Sequence, residues 1–189
     1  QRLVAMGDTS CLDRLLPLST HLGRSEETAQ IMQAIGQRPG NERLPLESAR
    51  VMALHGQSGR AAGMFEEWIA KHPQDRDAAY ELACMKEAGS SSTDAAAAFE
   101  AFLRAFPGDA AAVKKLASLR IRNGQPQSAL RELDGLRETD FDARTLENYT
   151  LLAESLDRPV SLQRALRISS NDPSRATPAL FIRMAEIAQ

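Results

Sequence analysis

The sequence predicts an all-α protein in which antiparallel helix pairs stack into a solenoid. Residues 76–109 show the unit, because two helix patterns flank a Ser-rich turn and the segment ends in Pro107-Gly108-Asp109. The same pattern occurs before and after this segment at an offset of 34 residues. A unit of this size cannot bury its apolar face alone, so a fixed period indicates that each unit stacks on its neighbours.

Four columns of residues carry the period. Each column repeats the same or a similar residue every 34 positions, and the columns are Pro39, Pro73 and Pro107; Ala49, Ala83 and Ala117; Ala61, Ala95 and Ala129; and Phe65, Phe99 and Leu133. Alanine lets two helix axes approach closely, and a large apolar side chain one turn later fills the space between units. Four columns that repeat together argue against the alternative, an irregular helical bundle with accidental periodicity.

The columns resemble the second-helix signature of the tetratricopeptide repeat (TPR), A-x3-F…P. The matching segments are Ala61-x3-Phe65…Pro73, Ala95-x3-Phe99…Pro107 and Ala129-x3-Leu133, the last with leucine for phenylalanine and with Phe141 in place of the proline. The first-helix segment Ala79-x2-Leu82-Ala83-x2-Lys86 keeps the leucine and the small residue but lacks the family's tryptophan and tyrosine. The resemblance covers residues 8–189, is strongest in the middle, and implies a right-handed superhelix.

The period divides the chain into five units and part of a sixth. We expect a single array over residues 1–189, with units at about 8–41, 42–75, 76–109, 110–143, 144–175 and, incomplete, 176–189. Expected helices after the first unit are 46–55 and 61–71, 77–88 and 94–105, 110–122 and 126–136, 146–156 and a shortened 159–168, and finally 179–188.

Local signals set the expected helix starts. Thr93 or Asp94 is expected to cap one helix and Asp109 another, and Pro126 suits a first helical turn. Ala165 follows Ala129 by 36 residues, which predicts two inserted residues within 137–144. In the first unit we expect caps at 8–10 and an interruption at Pro17, followed by a second helix at 26–37.

The composition excludes several classes of protein. The chain has 189 residues, 43% of them hydrophobic, and a net charge of −2, whereas nucleic-acid-binding domains usually carry a strong positive charge. No apolar run approaches the roughly 18 residues that span a bilayer. Cys11 and Cys84 fall two repeats apart, so we expect no disulfide between them. Because the chain begins at Gln1 and stops inside a helix pattern, we expect it to be a piece of a longer array.

The sequence predicts no enzymatic activity, cofactor or metal site. His21, His55 and His72 fall at or near helix ends in different units, where a histidine usually interacts with the helix dipole. No Gly-rich phosphate loop, CxxC pair or HExxH motif is present. The aromatic residues of the second helices are expected to form the core between repeats: Phe65, Trp68, Phe99, Phe102 and Phe106.

The resemblance places the partner-binding surface on the first helices, which line the concave side of TPR superhelices. By column, this surface is expected to carry Arg43, Leu46, Arg50, Asp77, Tyr80, Cys84, Glu87, Lys114, Ser118, Arg122, Glu147 and Glu154. The partner-binding residues that we predict are Arg43, Arg50, Asp77, Tyr80, Glu87, Lys114 and Arg122. Lys114 and Arg122 lie two turns apart and are expected to meet an acidic stretch together. Ser118 replaces the asparagine of the family's carboxylate clamp, so that clamp is not predicted.

The resemblance implies a non-enzymatic scaffold that binds a protein partner. The weak signatures, the high alanine and arginine content and the longer array resemble the periplasmic TPR regions of bacterial exopolysaccharide export proteins, the family of the outer-membrane protein PelB. Such a region would dock polymer-modifying enzymes beneath an export pore in the outer membrane. The alternative functions are a glycan-binding solenoid that guides a polysaccharide and a general TPR co-chaperone or assembly factor. The alternative location is the cytoplasm.

Overall fold

The structure is a computed structural model that describes residues 22–24, 27, 30, 43–54, 56–89, 91–175 and 182. Within these residues the chain forms eight α-helices and two short 3-10 helices, and it forms no strand. The α-helices are α1 (Leu44–Leu54), α2 (Ser58–Lys71), α3 (Arg76–Gly89), α4 (Ser92–Ala105), α5 (Ala110–Arg122), α6 (Pro126–Asp134), α7 (Ala143–Ser155) and α8 (Pro159–Asn171). The 3-10 helices are Glu138–Asp140 and Pro173–Arg175.

The chain divides into an N-terminal unit, Gln1–Ser91, and a C-terminal unit, Ser92–Gln189. In the N-terminal unit α1 packs on α2, and α2 packs on α3. In the C-terminal unit each helix from α4 to α8 packs on the next helix along the chain. Packing in chain order is what stacked helix pairs produce. The all-α class is therefore confirmed, whereas one continuous array over residues 1–189 stays a prediction.

The alanine and phenylalanine columns are buried, which confirms the register read from the period. Ala49, Ala61, Ala95, Ala129, Phe65 and Phe99 are fully inaccessible, and Ala83, Ala117 and Leu133 are only 2% exposed. In the N-terminal unit Ala49, Ala61 and Phe65 share one core with Leu46, Met52, Trp68 and Ala78. Of the five predicted core aromatics, Phe106 is only half-buried, because it follows the last residue of α4. Its ring contacts that of Phe102 at a centroid distance of 5.0 Å.

Aspartates begin the first helices of three successive repeats. A carboxylate oxygen accepts a hydrogen bond from the backbone amide three residues later in Asp75 (3.1 Å), Asp109 (2.9 Å) and Asp142 (2.9 Å). Each bond satisfies one of the amides that a helix start leaves without a partner. The cap at Asp109 was predicted and is confirmed, and the other two lie 34 and 33 residues from it.

The turn after the first helix also repeats. Gly56, Gly124 and Asp157 have φ values of 77°, 69° and 50°, which is left-handed backbone. In each turn the next residue donates its amide to the carbonyl five residues earlier, at 3.0, 2.8 and 2.7 Å. This is a Schellman-type helix end, which glycine adopts without strain and an L-residue such as aspartate adopts at a cost.

Several expected boundaries were wrong. Helix α4 begins at Ser92, so Thr93 and Asp94 lie inside it rather than capping it, because Asn123 hydrogen-bonds both the hydroxyl and the carbonyl of Ser92. Helix α8 is not shortened and continues to Asn171. The hydroxyls of Ser169 and Ser170 donate to carbonyls of the preceding turn and so remain compatible with a helix.

The predicted two-residue insertion within 137–144 was also wrong. The caps Asp109 and Asp142 lie 33 residues apart, as do the first helical residues Pro126 and Pro159, so the fifth repeat begins one residue early. Ala129 is the fourth residue of α6, whereas Ala165 is the seventh residue of α8. Both are buried, but they occupy different turns of their helices. Their separation of 36 residues therefore does not measure an insertion between repeats.

Other boundaries shifted by a few residues. Helix α6 ends at Asp134, before the expected residue 136, and α7 begins at Ala143, three residues before the expected start. Pro126 stands in the first turn of α6, as predicted. The predictions for Cys11, Pro17, His21 and His55, for the helix at 26–37 and for the helix at 179–188 fall outside the described residues.

Candidate partner-binding surface

The predicted binding residues of the N-terminal unit are held by ion pairs. Arg43 precedes α1 and donates to Asp75 at 3.2 Å. Asp77 accepts from Arg76 at 2.9 Å, and the guanidinium of Arg76 lies over the ring of Tyr80, 5.6 Å from its centroid. Tyr80 itself is half-buried, as is Glu87 further along α3. These residues therefore form an ordered charged surface along α1 and α3.

Arg50 forms the densest of these contacts. Its Nε and Nη2 atoms each donate to a carboxylate oxygen of Glu81 at 2.7 Å, which is a bidentate pair between α1 and α3. Its Nη1 atom donates to Glu47 at 2.5 Å. The hydrogen bond with Glu81 raises the pKa of Arg50 above its ordinary value, although partial burial acts in the opposite direction. We call these three side chains the charged triad.

Two members of the charged triad, Arg50 and Glu81, line an apolar groove of about 480 Å³ in the N-terminal unit, and Glu47 lies outside this lining, three residues before Arg50. The groove lies among α1, α2 and α3, and its lining residues are Arg50, Ala53, Leu54, Ser58, Phe65, Tyr80, Glu81, Cys84, Met85 and Ala88. Leu54 is 82% exposed and contributes an accessible apolar side chain to this lining. Arg50, Tyr80 and Cys84 were placed on one surface from the sequence, and the structure brings them together here.

Leu46 was predicted for the same surface, and that prediction was wrong. The side chain is 1% exposed and belongs to the core of the N-terminal unit with Ala49 and Phe65. Leu46 lies three residues before Ala49 on α1, so the two share the face that packs on α2.

In the C-terminal unit, Lys114 on α5 donates to Asp142 at 2.7 Å. Asp142 also accepts from the amide and the hydroxyl of Thr145, both at 2.9 Å. Partial burial acts to raise the pKa of Asp142, but these hydrogen bonds outweigh it, and the pKa falls from 3.8 to about 2. Arg122 is exposed at the end of α5. The idea that Lys114 and Arg122 share an acidic ligand stays a prediction.

A second cavity, of about 700 Å³, lies in the C-terminal unit between α6 and the turn that precedes α8. At its base Asp134 accepts hydrogen bonds from the hydroxyls of Tyr149 at 2.5 Å and Ser161 at 3.0 Å. Burial and the bond to Asp134 raise the pKa of Tyr149. Tyr149 is fully buried, so this polar network ties α6, α7 and α8 to one another.

Sequence reasoning missed Glu47 and Glu81, which complete the charged triad. Glu47 carried a usable signal, since it lies three residues before Arg50 on the same helix face. Glu81 lies 31 residues after Arg50, and no spacing rule within one helix connects them. Their contact could be predicted only from the relative placement of α1 and α3.

Neither a metal-binding cluster nor a membrane-spanning helix occurs in the part of the chain that the structure describes. Across the described residues, no three His, Cys, Asp or Glu side chains are arranged to hold a metal ion. None of the described helices has the length and hydrophobicity that crossing a membrane requires. His72 lies at the end of α2, where its ring stacks on Trp68 and contacts the Trp68 carbonyl at 3.1 Å, which fits the helix-end role expected for it.

Comparison with known proteins identifies the repeat. A tetratricopeptide-repeat family model matches residues 92–152. Within this range, helices α4 to α7 match the tetratricopeptide repeat. Among curated protein sequences, no match to this chain was found.

Several solved structures, among them two described as TPR proteins, share the fold of this chain. A TPR protein from Parabacteroides merdae superposes with a TM-score of 0.59 at 14% identity, over 85% of this chain and 65% of its own. MamA (residues 41 to the end) from Desulfovibrio magneticus RS-1 gives 0.53 at 20% identity, over 88% and 94%. YrrB, described as a TPR protein with an unusual peptide-binding site, gives 0.55 at 13% identity, over 92% and 89%. At such identities the likeness establishes the TPR solenoid fold alone.

Proposed function

We propose that this chain is a protein-interaction scaffold and that the apolar groove of its N-terminal unit receives a segment of the partner. The TPR fold suggests binding of proteins, and TPR proteins are generally non-enzymatic scaffolds. The apolar groove, with Leu54 exposed in its lining and Arg50 and Glu81 beside it, is the observation that carries the proposal, because contiguous apolar surface with a polar border is typical of protein-binding sites. The peptide-binding site of the structural neighbour YrrB is consistent with this mode.

We further propose that the protein works in bacterial exopolysaccharide export, in the periplasm, where it docks polymer-modifying enzymes near an outer-membrane pore. The support is compositional: the chain has weakly conforming repeats that are rich in alanine and arginine. A scaffold of this kind would hold an enzyme close to the emerging polymer without contacting the polymer itself. A glycan-binding solenoid and a general assembly factor are the competing functions.

The experiment uses the purified chain and purified polymer-modifying enzymes encoded beside its gene. Binding would be measured by isothermal titration calorimetry. We expect one such enzyme to bind and Leu54→Asp to weaken its affinity at least about tenfold, because a carboxylate would be buried in the apolar contact. Val160→Asp is the comparison variant, since Val160 is 79% exposed and lines the second cavity, at the start of α8, instead of the groove.

The other outcomes identify which proposal fails. Binding of an enzyme that responds to Val160→Asp and not to Leu54→Asp would exclude the groove while leaving a scaffold. Binding of the exported polysaccharide alone would favour the glycan-binding function. Binding of chaperones only, with no affinity for any export enzyme, would contradict the export role.

A further inference from the structure

We propose that the groove selects a partner segment in which an apolar side chain is accompanied by a lysine or arginine. The inference rests on the proposed docking function and adds the chemistry of the partner. It follows from two neighbouring properties, the exposed apolar lining of the groove and the net negative charge of the triad, of which Arg50 and Glu81 line the groove and Glu47 adjoins it.

The apolar property is set by α1 and α3. Leu54 on α1 is largely exposed, Met85 and Ala88 line the groove from α3, and the buried ring of Phe65 on α2 lies beneath them. A volume of about 480 Å³ falls within the roughly 300–1,000 Å³ of ligand pockets. The groove can therefore bury an apolar side chain of a partner.

The charge property is set by the charged triad. Two carboxylates, Glu47 and Glu81, surround one guanidinium, that of Arg50, so the triad carries a formal charge of −1. The side chains of Glu47 and Glu81 are 45% and 36% exposed, so a ligand can reach them. Three donor atoms of Arg50 already point at these carboxylates, which leaves an approaching anion opposed by two negative charges.

Neighbouring ion pairs of the unit do not cancel this excess. Their members are Arg43 with Asp75, Arg76 with Asp77, and Lys86 with Glu66, and each pair joins one cation to one anion. Their charges balance, so these three pairs leave the net charge of the triad unchanged. A cationic side chain is the complementary ligand.

The spacing of the two properties defines the ligand further. Leu54 lies four residues after Arg50 on α1, and Met85 lies four residues after Glu81 on α3. Four residues of helix rise about 6 Å, so the apolar Met85 lies one turn from the acidic Glu81 on α3, and Leu54 lies one turn from Arg50, the partner of Glu81, on α1. In an extended segment this distance separates residues i and i+2, at roughly 3.3 Å per residue. We therefore expect an apolar residue and a basic residue two positions apart in an extended partner.

A bead-displayed library of random heptapeptides, selected on the full chain, tests the inference. We expect peptides with an apolar and a basic residue at i and i+2 to be enriched at least about tenfold over their acidic counterparts. The enrichment should fall as salt is raised, because the triad is partly exposed. Absence of this enrichment, or enrichment of acidic residues, would overturn the inference.

Variants of the triad sharpen the test. The double variant Glu47→Gln, Glu81→Gln leaves only the guanidinium of Arg50, so the preference should reverse toward acidic peptides. Glu67→Gln removes one exposed carboxylate from α2 outside the groove and should leave the preference unchanged. Circular dichroism and melting temperature would verify folding. If the double variant does not fold, Arg50→Gln takes its place, and its border of two carboxylates should bind the basic peptides more tightly.

Leu54→Ser separates the inference from the proposed function. If peptides bind, lose affinity in Leu54→Ser and show no charge preference, the groove is a docking site and the charge rule is wrong. If Leu54→Ser leaves peptide binding unchanged, the groove is not the docking site, and the proposed function and the inference both fail.

Discussion

The first helices of the two units share their caps but present different chemistry. Counted from the caps Asp75 and Asp142, Glu81 of the N-terminal unit corresponds to Asn148 of the C-terminal unit. At two periods, Arg50 corresponds to Ser118 and Leu54 to Arg122. The C-terminal unit therefore keeps the structural positions of the repeat, but at these corresponding positions it has neither the residues of the charged triad nor a leucine.

This difference separates the two demands on a repeat. The buried alanines and the aspartate caps serve stacking and helix formation, and they recur in both units. The residues that border the groove serve no repeated structural purpose, so they are free to differ from unit to unit. Any function of the N-terminal groove consequently depends on residues that do not follow the period.

The largest expected effect comes from disturbing the packing of neighbouring helices, which occurs within each of the two units. Ala95 is fully buried on α4, and Ala95→Leu should lower the free energy of unfolding by about 1–3 kcal/mol through overpacking. Ala97 on the same helix is exposed, so Ala97→Leu should change stability by no more than about 0.5 kcal/mol. Urea denaturation would measure both. Equal stabilities for Ala95→Leu and the wild type would contradict the shared register.

The next prediction concerns the repeated caps. Asp142→Ala removes the bond to the Thr145 amide and the ion pair with Lys114, and it should cost about 1 kcal/mol. Asp142→Asn keeps a capping side chain and loses only the charge. Because the Asp142 side chain is 56% exposed, that charge contributes well under about 1 kcal/mol.

The pH dependence of the two Asp142 variants distinguishes cap from charge. The pKa of Asp142 is lowered on folding from 3.8 to about 2, so its charge stabilises the fold above pH 4. This contribution is lost as the pH falls toward about 2. The difference between wild type and Asp142→Asn should therefore vanish in acid, while the cost of Asp142→Ala persists in part. A difference that grows in acid would be inconsistent with the ion pair.

The smallest effect is expected at the left-handed turns, where one repeat departs from the others. Asp157 has a φ of 50°, whereas glycine fills the corresponding positions at Gly56 and Gly124. Asp157→Gly should stabilise the protein by about 0.5–1 kcal/mol, since glycine removes the steric cost of this conformation. Gly124→Ala is the reciprocal control and should destabilise by a similar amount. Thermal melting would detect an upward shift for the first variant and a downward shift for the second.

Most of the fold could be predicted from the sequence because stacking imposes a period. The alanines at 61, 95 and 129 report a packing constraint that every repeat must meet, and each is buried. Boundaries were less predictable, since Ser92 is held by Asn123 from another loop and Ser169 bonds within its own helix. The first contact depends on the tertiary position of Asn123, and the second depends on the side-chain conformation of Ser169, neither of which follows from composition.

The candidate site was predictable only in part. The column rule placed Arg50 and Tyr80 on one surface, and both line the groove. It also placed Leu46 there, because a column rule assigns helices to surfaces but does not resolve which side of the helix packs inward. Glu81 could not be predicted as a site residue because its partner, Arg50, lies in the preceding repeat. The sequence therefore indicates which helices form the surface, whereas the structure supplies its charge balance.

The aspartate caps have a consequence for cooperativity. The carboxylate of Asp75 accepts from the amide of Ala78 in its own helix, from the indole of Trp68 and from Arg43 at the start of α1. The group that helps to nucleate α3 is thus positioned by side chains of the preceding repeat. Helix nucleation is the unfavourable step of helix formation, and for α3 it is assisted by side chains of the preceding repeat. In nearest-neighbour terms, the cap raises the coupling between repeats relative to the intrinsic stability of each, so adjacent repeats should fold and melt together.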